Sequence, residues 1–508
     1  MELKIEQIKE HFKGRWTILV VMLLGVLFCT YFSAQGIIPI AAAVCILPIA
    51  FVFIGVLVHR PVILFVILFV INYFIMGLTR YVYVPVPISV MMDVLLISLL
   101  LFLAINLIRN KTIFKQEVIP FLLLYGFWVG YCLIEAFNNT TGTGFQFTAW
   151  FKEVRSIAFH ALYVILIFTL LFNKQKHIKY FLYFWGVFII LAAAKGYWQR
   201  NRGFDTYEWQ WLWSGGASTH LIHSGVRYFS FFSDAANFGS NMAFSLVTYA
   251  ICFIYEKNWK AKLYFLVVAI AGGYGMMISG TRSALLVAIA GFLLYTLLAK
   301  NIKLFIMSTL FLVATVGVLK YTTIGDSNRL IHRMRTAFDP EDASLQVRLT
   351  NQKAIKSYMS EAPWGIGIGI GMGADQLPQN NKYWIVSVTA SDSTLVYIWM
   401  RTGAIGILVF LFVICMAVAA QCFIVLFKIK DPQLRGMLTA FTCGGACMIV
   451  AAYGNFIYHQ YPNTLLVWGL QTLVFMGPYF DKQIAAEKEK KALESIELNK
   501  KDLEESDV

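Results

Sequence analysis

Between residues 16 and 480 the sequence returns repeatedly to apolar runs about as long as a bilayer is thick, for example ILFVILFVINYFIMGL from Ile63 to Leu78. In lipid every backbone N–H and C=O has to be satisfied within the protein, so only helices and closed barrels cross it. A barrel would show shorter segments alternating apolar and polar residues. Only 14% of the 508 residues are charged, where a soluble chain carries about a quarter. The chain is therefore expected to be an all-α polytopic membrane protein of about 12–14 transmembrane helices. The runs lie at 16–34, 37–58, 61–78, 88–107, 118–137, 156–172, 179–198, 236–255, 263–279, 283–299, 303–319, 404–427, 433–455 and 464–480.

The net charge of +14 would suggest nucleic acid in a soluble protein. Here lysine and arginine on cytoplasmic loops account for it, so no nucleic-acid partner is expected. With the N-terminus inside, cytoplasmic segments hold Lys4 to Arg15, Arg60, Arg109 to Lys115, Lys174 to Lys179, Lys257 to Lys262, Lys300, Lys303 and Lys428 to Arg435. The short outer connections hold Arg80, Lys152, Arg155 and Arg282. Both termini are thus expected in the cytoplasm. The charged N-terminus reads as the lead into a retained first span rather than a signal peptide. All eight cysteines fall inside apolar runs, which suggests neither a disulfide framework nor a CxxC metal site. No metal or cofactor is expected.

Two outer segments are long, near 198–235 and 320–393. The second has the length of a subdomain. Within it, residues 343–361 read as an amphipathic helix with Leu345, Leu349, Ile355 and Met359 roughly on one side, stopped by Pro363. The organisation read from these features is 1–224 for the first helices and first outer loop, 225–425 for a core including the 320–393 loop, 426–480 for the last spans, and 481–508 for a charged cytoplasmic tail.

The residues able to carry chemistry gather on the outer side. Arg282 stands between two spans in a connection of a few residues, where a guanidinium needs an anion or water; it is either snorkelling or an anion clamp. Arg227 precedes a helix that starts near Ser233 or Asp234, with Asp234 suited to cap it. Arg227, that helix end and Arg282 could together hold a pyrophosphate. Trp211 belongs to an aromatic segment with Tyr197, Trp198, Trp209 and Trp213, either an interfacial belt or a stacking platform for sugar rings. His220 and His223 lie nearby without the spacing of a zinc site. Asp392 and Arg401 approach the next span; Asp392 reads equally as a general base or as a helix cap, a place Ser391 or Ser393 could also fill. In GIGIGIGMG, from Gly365 to Gly373, glycine alternates with apolar residues. No P-loop ending follows it. It is either a flexible turn or backbone bared for a bulky ligand at Gly367 and Gly369.

These clusters, in this order, resemble the O-antigen ligase and Wzy-type polysaccharide polymerase superfamily. The resemblance rests on Arg227 to Phe238, with Ala235 where the family has proline, and on the turn Ser279 to Ala284. It continues through Arg348 on the outer helix, the glycine loop from Pro363 to Gly369, and the helix entry Arg401 to Gly406, and covers about residues 225–425. It implies a GT-C-like, metal-independent glycosyltransferase of the bacterial inner membrane. The donor would be a glycan on undecaprenyl pyrophosphate at the periplasmic face, and the acceptor either lipid A core or another glycan, with membrane lipids around both. Arg227 and Arg282 would hold the pyrophosphate, with Arg348 and Arg401 as auxiliary cations. Where the family's ligases carry a His-Asn pair as presumed base, this chain has Asp392-Ser393. The role then falls to Asp392 or to another residue such as His459, on the last outer turn. The rival reading is a flippase for the same lipid-linked glycan; Asp93 and Glu135 are its candidate buried charges.

Overall fold

The computed structural model describes residues 55–84, 87–110, 114–222, 225–299, 302–324, 335, 343–370, 376–391 and 393–506. The expected span at 16–34 and residues 37–54 of the span expected at 37–58, together with His223, Asp392, Gly371 and Gly373, lie outside the described residues.

The chain is an all-α polytopic membrane protein. Among the described residues, nine helices are long and apolar enough to cross a membrane. In chain order the helices are α1 Pro61–Leu78, α2 Ile88–Arg109, α3 Gln116–Phe137, α4 Phe147–Leu171, α5 Gln175–Arg202, the short α6 Thr206–Trp211, α7 Ala235–Tyr255, α8 Trp259–Ile278, α9 Arg282–Leu298 and α10 Ile302–Tyr321. They continue as α11 Ala343–Ser360, α12 Trp384–Val388, α13 Thr394–Lys428, α14 Pro432–Gly454, α15 Asn463–Phe475 and α16 Gly477–Ser506. One two-residue hairpin, β1 Leu221–Ile222 with β2 Gly225–Val226, precedes α7. By contacts the chain forms two units, 1–66 with 101–112, and 67–100 with 113–508. In the first, the Asn106 amide donates to the carbonyls of Val58 and Phe102. All that follows concerns the second.

Helix boundaries follow local chemistry. Asp234, Asn258, Ser393 and Asp431 each accept the first free backbone N–H groups of α7, α8, α13 and α14. Asp205 and Glu208 close a reciprocal capping box on α6. The core lies around α7 and α14, the most buried of the nine spans. There the helices approach through small residues: a Cβ on Gly272 of α8 would come within 2.9 Å of the Leu246 nitrogen and the Met242 carbonyl of α7. On the outside, large apolar side chains such as Leu123, Ile270 and Leu408 are exposed, as a surface against lipid tails requires.

Two spans differ from the sequence reading. α4 begins at Phe147 rather than near 156, so Lys152 and Arg155 sit inside a helix and not in a connection. Arg155 is tolerated there because it pairs with Asp93 of α2. α13 begins at Thr394 rather than 404, and Gly403, at φ 66°, breaks it internally. In the 320–393 segment, Ile355 and Met359 of α11 bury against Ala362, Ile366, Tyr383 and Met400, while Leu345 is exposed.

Candidate functional site

The site is built where the first turns of α7, α9 and α13 meet the last turn of α14. Asp234 Oδ1 caps α7 by accepting from Ala236 and Asn237 at 2.8 and 2.9 Å. Arg227, brought back by the hairpin, donates from Nη1 to the Thr219 carbonyl and from Nη2 to Thr281 Oγ1, both at 3.0 Å. Thr281 in turn donates to the Ala235 carbonyl at 2.8 Å. This ties the start of α9, and with it Arg282, to the start of α7. Ser283 receives the Asn455 amide. A Cβ on Gly454 would lie 3.3 Å from Ser283 Cβ and 3.8 Å from Arg348 Nη1, so Arg348 comes to the same corner.

Three arginines predicted from sequence therefore form one group. Burial above all, with Arg282 and Arg348 adding to it, pushes the Arg227 guanidinium below the ordinary arginine range, and Asp234 opposes the shift. The Nε of Arg227 has no hydrogen-bond partner among the described residues. With two helix N-termini beside them, the three guanidinia make a cationic corner suited to an oxyanion-rich ligand.

His220 has a structural part. Its Nε2 accepts from the Ala235 N–H at 3.1 Å and its Nδ1 donates to the Gly216 carbonyl at 2.9 Å, which defines a neutral ring. Burial pushes its pKa down to about 4. Trp211 holds Arg80, whose guanidinium lies 4.3 Å from the Trp211 ring and 4.3 Å from that of Phe229. Tyr197, Trp198, Trp209 and Trp213 of this segment are exposed, and Trp209 and Trp213 stack at 6.1 Å.

The glycine loop runs against the break in α13. The Ile366 and Gly367 N–H groups donate to the carbonyls of Met400 and Arg401, and the Ile405 N–H donates to the Pro363 carbonyl. Loop and helix thus exchange the bonds that the kink at Gly403 interrupts. A Cβ on Gly403 would stand 2.0 Å from the Pro363 oxygen, and one on Gly369 would stand 2.6 Å from the Trp150 nitrogen. Gly367 has room: its nearest neighbour would be 3.8 Å away. Beside it opens a narrow cleft, partly continuous with solvent, lined by Glu135, Asn138, Trp150, Gly367 and Gly369 among others. Glu135 is buried in its wall and accepts from Tyr131 and Asn138 at 2.9 and 2.8 Å.

Arg401 is only 3% exposed. Its guanidinium lies 4.2 Å from the Tyr397 ring, and its Nε and Nη1 have no hydrogen-bond partner among the described residues. Tyr397 donates to Glu153 of α4. Ser393 caps α13, so of the three cap candidates the structure uses Ser393.

The loop between α14 and α15 links this region to the arginines. Gln460 reaches Asp234 at 3.5 Å, and the Tyr461 carbonyl accepts from Asn237 at 2.9 Å. His459 turns the other way and contacts the Ser156 carbonyl of α4 at 3.1 Å. Asn237, Asn463, Asn241 and Tyr73 continue as a buried hydrogen-bonded chain into the core. Sequence reasoning missed this chain, because its asparagines stand singly in apolar runs.

The comparison with known families bears on the arginine corner and the glycine loop. Residues 265–411 match the O-antigen ligase family. The matched segment contains Arg282, Arg348, the glycine loop and Arg401, whereas Arg227 and His459 lie outside it; Arg227 is joined to it through Thr281. No curated protein matches the chain. Among the described residues, no group of three or more His, Cys, Asp or Glu side chains is placed to hold a metal ion.

Proposed function

We propose that the protein is a membrane glycosyltransferase that moves a glycan from undecaprenyl pyrophosphate to an acceptor hydroxyl at the periplasmic face of the inner membrane. Two forms of this reaction suit the O-antigen ligase segment: ligation onto lipid A core, and polymerisation onto another lipid-linked glycan. The observation that carries the proposal is the convergence of Arg227, Arg282 and Arg348 on one corner beside the starts of α7 and α9.

In this reaction the acceptor oxygen attacks the anomeric carbon from the side opposite the leaving group. The bond from that carbon to the pyrophosphate oxygen breaks, and its electron pair stays on the pyrophosphate. The three guanidinia take up that developing charge in a partly dehydrated setting, where each interaction is strongest. The configuration at the anomeric carbon inverts. Arg401, buried beside Tyr397, adds positive potential on the acceptor side, and the glycine loop lets backbone approach the glycan at Gly367.

The second reading, a flippase, draws on the ionisable pair Asp93–Arg155 inside the membrane spans. One experiment separates the two. Purified protein in lipid nanodiscs receives a lipid-linked glycan donor and candidate acceptors, and transfer is measured. Transfer is expected from the wild type, and Arg282→Ala is expected to lower kcat by roughly 10²-fold or more. Full transfer by Arg282→Ala would remove the pyrophosphate role. Movement of the donor across vesicles with no glycosyl transfer would favour the flippase.

A further inference from the structure

The α4 helix contains a π-turn at Arg155–Phe159, where the His160 N–H donates to the Arg155 carbonyl. In an α-helix that N–H would take the Ser156 carbonyl. The bulge shifts the register by one and leaves the Ser156 carbonyl for a side chain. His459 of the α14–α15 loop uses it, at 3.1 Å through Nδ1. A carbonyl only accepts, so Nδ1 carries the proton and Nε2 presents a lone pair. That Nε2 is buried and has no hydrogen-bond partner among the described residues; His459 as a whole is 9% exposed. The neighbouring Tyr461 hydroxyl and the Arg155 Nε are unpartnered in the same sense.

The surroundings keep this imidazole neutral and fixed in place: burial, with His160 adding to it, pushes its pKa down to about 4, and the bond to Ser156 opposes the shift. Behind it, His160 and Arg155 both contact Asp93, so the carboxylate neutralises the arginine and orients the second imidazole. On its other side Phe456 packs at 5.4 Å between ring centroids. One residue further on, Gln460 touches Asp234 at the arginine corner. Single-turn π-bulges recur at functional sites, and unpartnered buried polar atoms call for an explanation.

We propose that His459 Nε2 accepts the proton of the acceptor hydroxyl, with the bulge carbonyl of Ser156 setting its tautomer. This rests on the glycosyl-transfer reading above. As the acceptor oxygen bonds to the anomeric carbon, its proton passes to Nε2 and the electron pair of the broken bond leaves on the pyrophosphate. The imidazolium then returns its proton to solvent once the products depart.

The experiment uses the full chain in nanodiscs with the lipid-linked donor and acceptor, and compares the wild type with His459→Asn and His459→Gln. The asparagine amide can still donate to Ser156 but has no group at the Nε2 position. The glutamine can place an oxygen there but takes up no proton. Each is expected to lower kcat by roughly 10²- to 10⁴-fold with the KM for donor unchanged. Size-exclusion profile and donor affinity report folding, and whichever variant stays folded decides. A folded variant with wild-type kcat would overturn the proposal and leave Nε2 to a structural water. A wild type that transfers no glycan at all would instead overturn the glycosyl-transfer reading itself.

Discussion

At the scale of single residues, two glycines that look alike in sequence have different duties. Gly403 adopts φ 66° and its α-carbon sits against the Pro363 carbonyl. Gly403→Ala is therefore expected to lower stability by roughly 3 kcal/mol or more, through both overpacking and backbone strain. Gly367 also has positive φ, at 98°, but a Cβ there meets nothing closer than 3.8 Å. Gly367→Ala should cost only the conformational term of about 1–2 kcal/mol. Thermal unfolding in detergent of the two variants checks the order; equal losses would mean that the loop and helix do not interlock as described. The bulkier Gly367→Val is expected to lower glycan transfer while the spans stay folded. The alternation of glycine along the loop was legible in the sequence, but its partner was not. The loop's counterpart is Gly403, which the sequence reading placed just ahead of the span at 404–427, after Arg401 and Thr402, and not inside a helix.

His220 offers a test through pH. Burial holds its pKa near 4, Arg227 and Arg80 push the same way, and Asp234 and the bond to Gly216 oppose. Unfolded, the ring titrates near 6.5. The unfolded state therefore binds the proton first as pH falls. The stability from the neutral ring is complete above about 6.5 and is lost progressively toward pH 4, up to about 3 kcal/mol. Thermal stability should decline across that window, and less steeply in His220→Gln. A variant with the wild-type slope would show that His220 is not the group responsible.

At the scale of elements, α4 carries the chief departure from the sequence reading. Lys152 and Arg155 mark a connection on charge alone, because a lone charge ends an apolar run. Arg155 is not alone. It faces Asp93, 62 positions away, and that carboxylate also meets His160. Removing one partner of such a pair strands the other in a poorly solvated place. Asp93→Asn is expected to destabilise the protein by about 3–5 kcal/mol, and the double variant Asp93→Asn/Arg155→Met is expected to recover much of that loss. Thermal unfolding of the single and double variants measures the coupling, and strictly additive losses would show that the two side chains do not stabilise each other. By contrast, the start of α7 was legible: Asp234 is a short polar residue before an apolar run and accepts the expected N–H groups. For α13 the sequence offered Ser391, Asp392 and Ser393 as caps, and Ser393 accepts the Val396 N–H.

At the scale of the whole molecule, the helices divide into a buried set and a lipid-facing set. α7, α14 and α15 form the centre, and the candidate site residues stand at one end of it. The ends of these central helices lie against side chains and loops, so their polar groups are met by Arg227, Thr281, Asn455 and Gln460 rather than by lipid. That is why an arginine corner can exist there at a cost the fold sustains. The segment that matches the O-antigen ligase family supplies one wall of this corner, and residues before and after it in the chain supply the rest.

The membrane-spanning helical class, the approximate place of the described spans, and the arginines worth watching could all be read along the chain. These depend on local properties: the length of an apolar run, the sign of flanking charge, the residue before a helix. It took the folded arrangement to bring Arg227, Arg282 and Arg348 to one corner, to set Asp93 against Arg155, and to let a bulge in α4 orient His459. Each of these joins residues tens to hundreds of positions apart. Such pairings are selected by packing and desolvation in three dimensions, where a charge inside a membrane survives only next to its partner, and no local pattern in the chain specifies which partner that is.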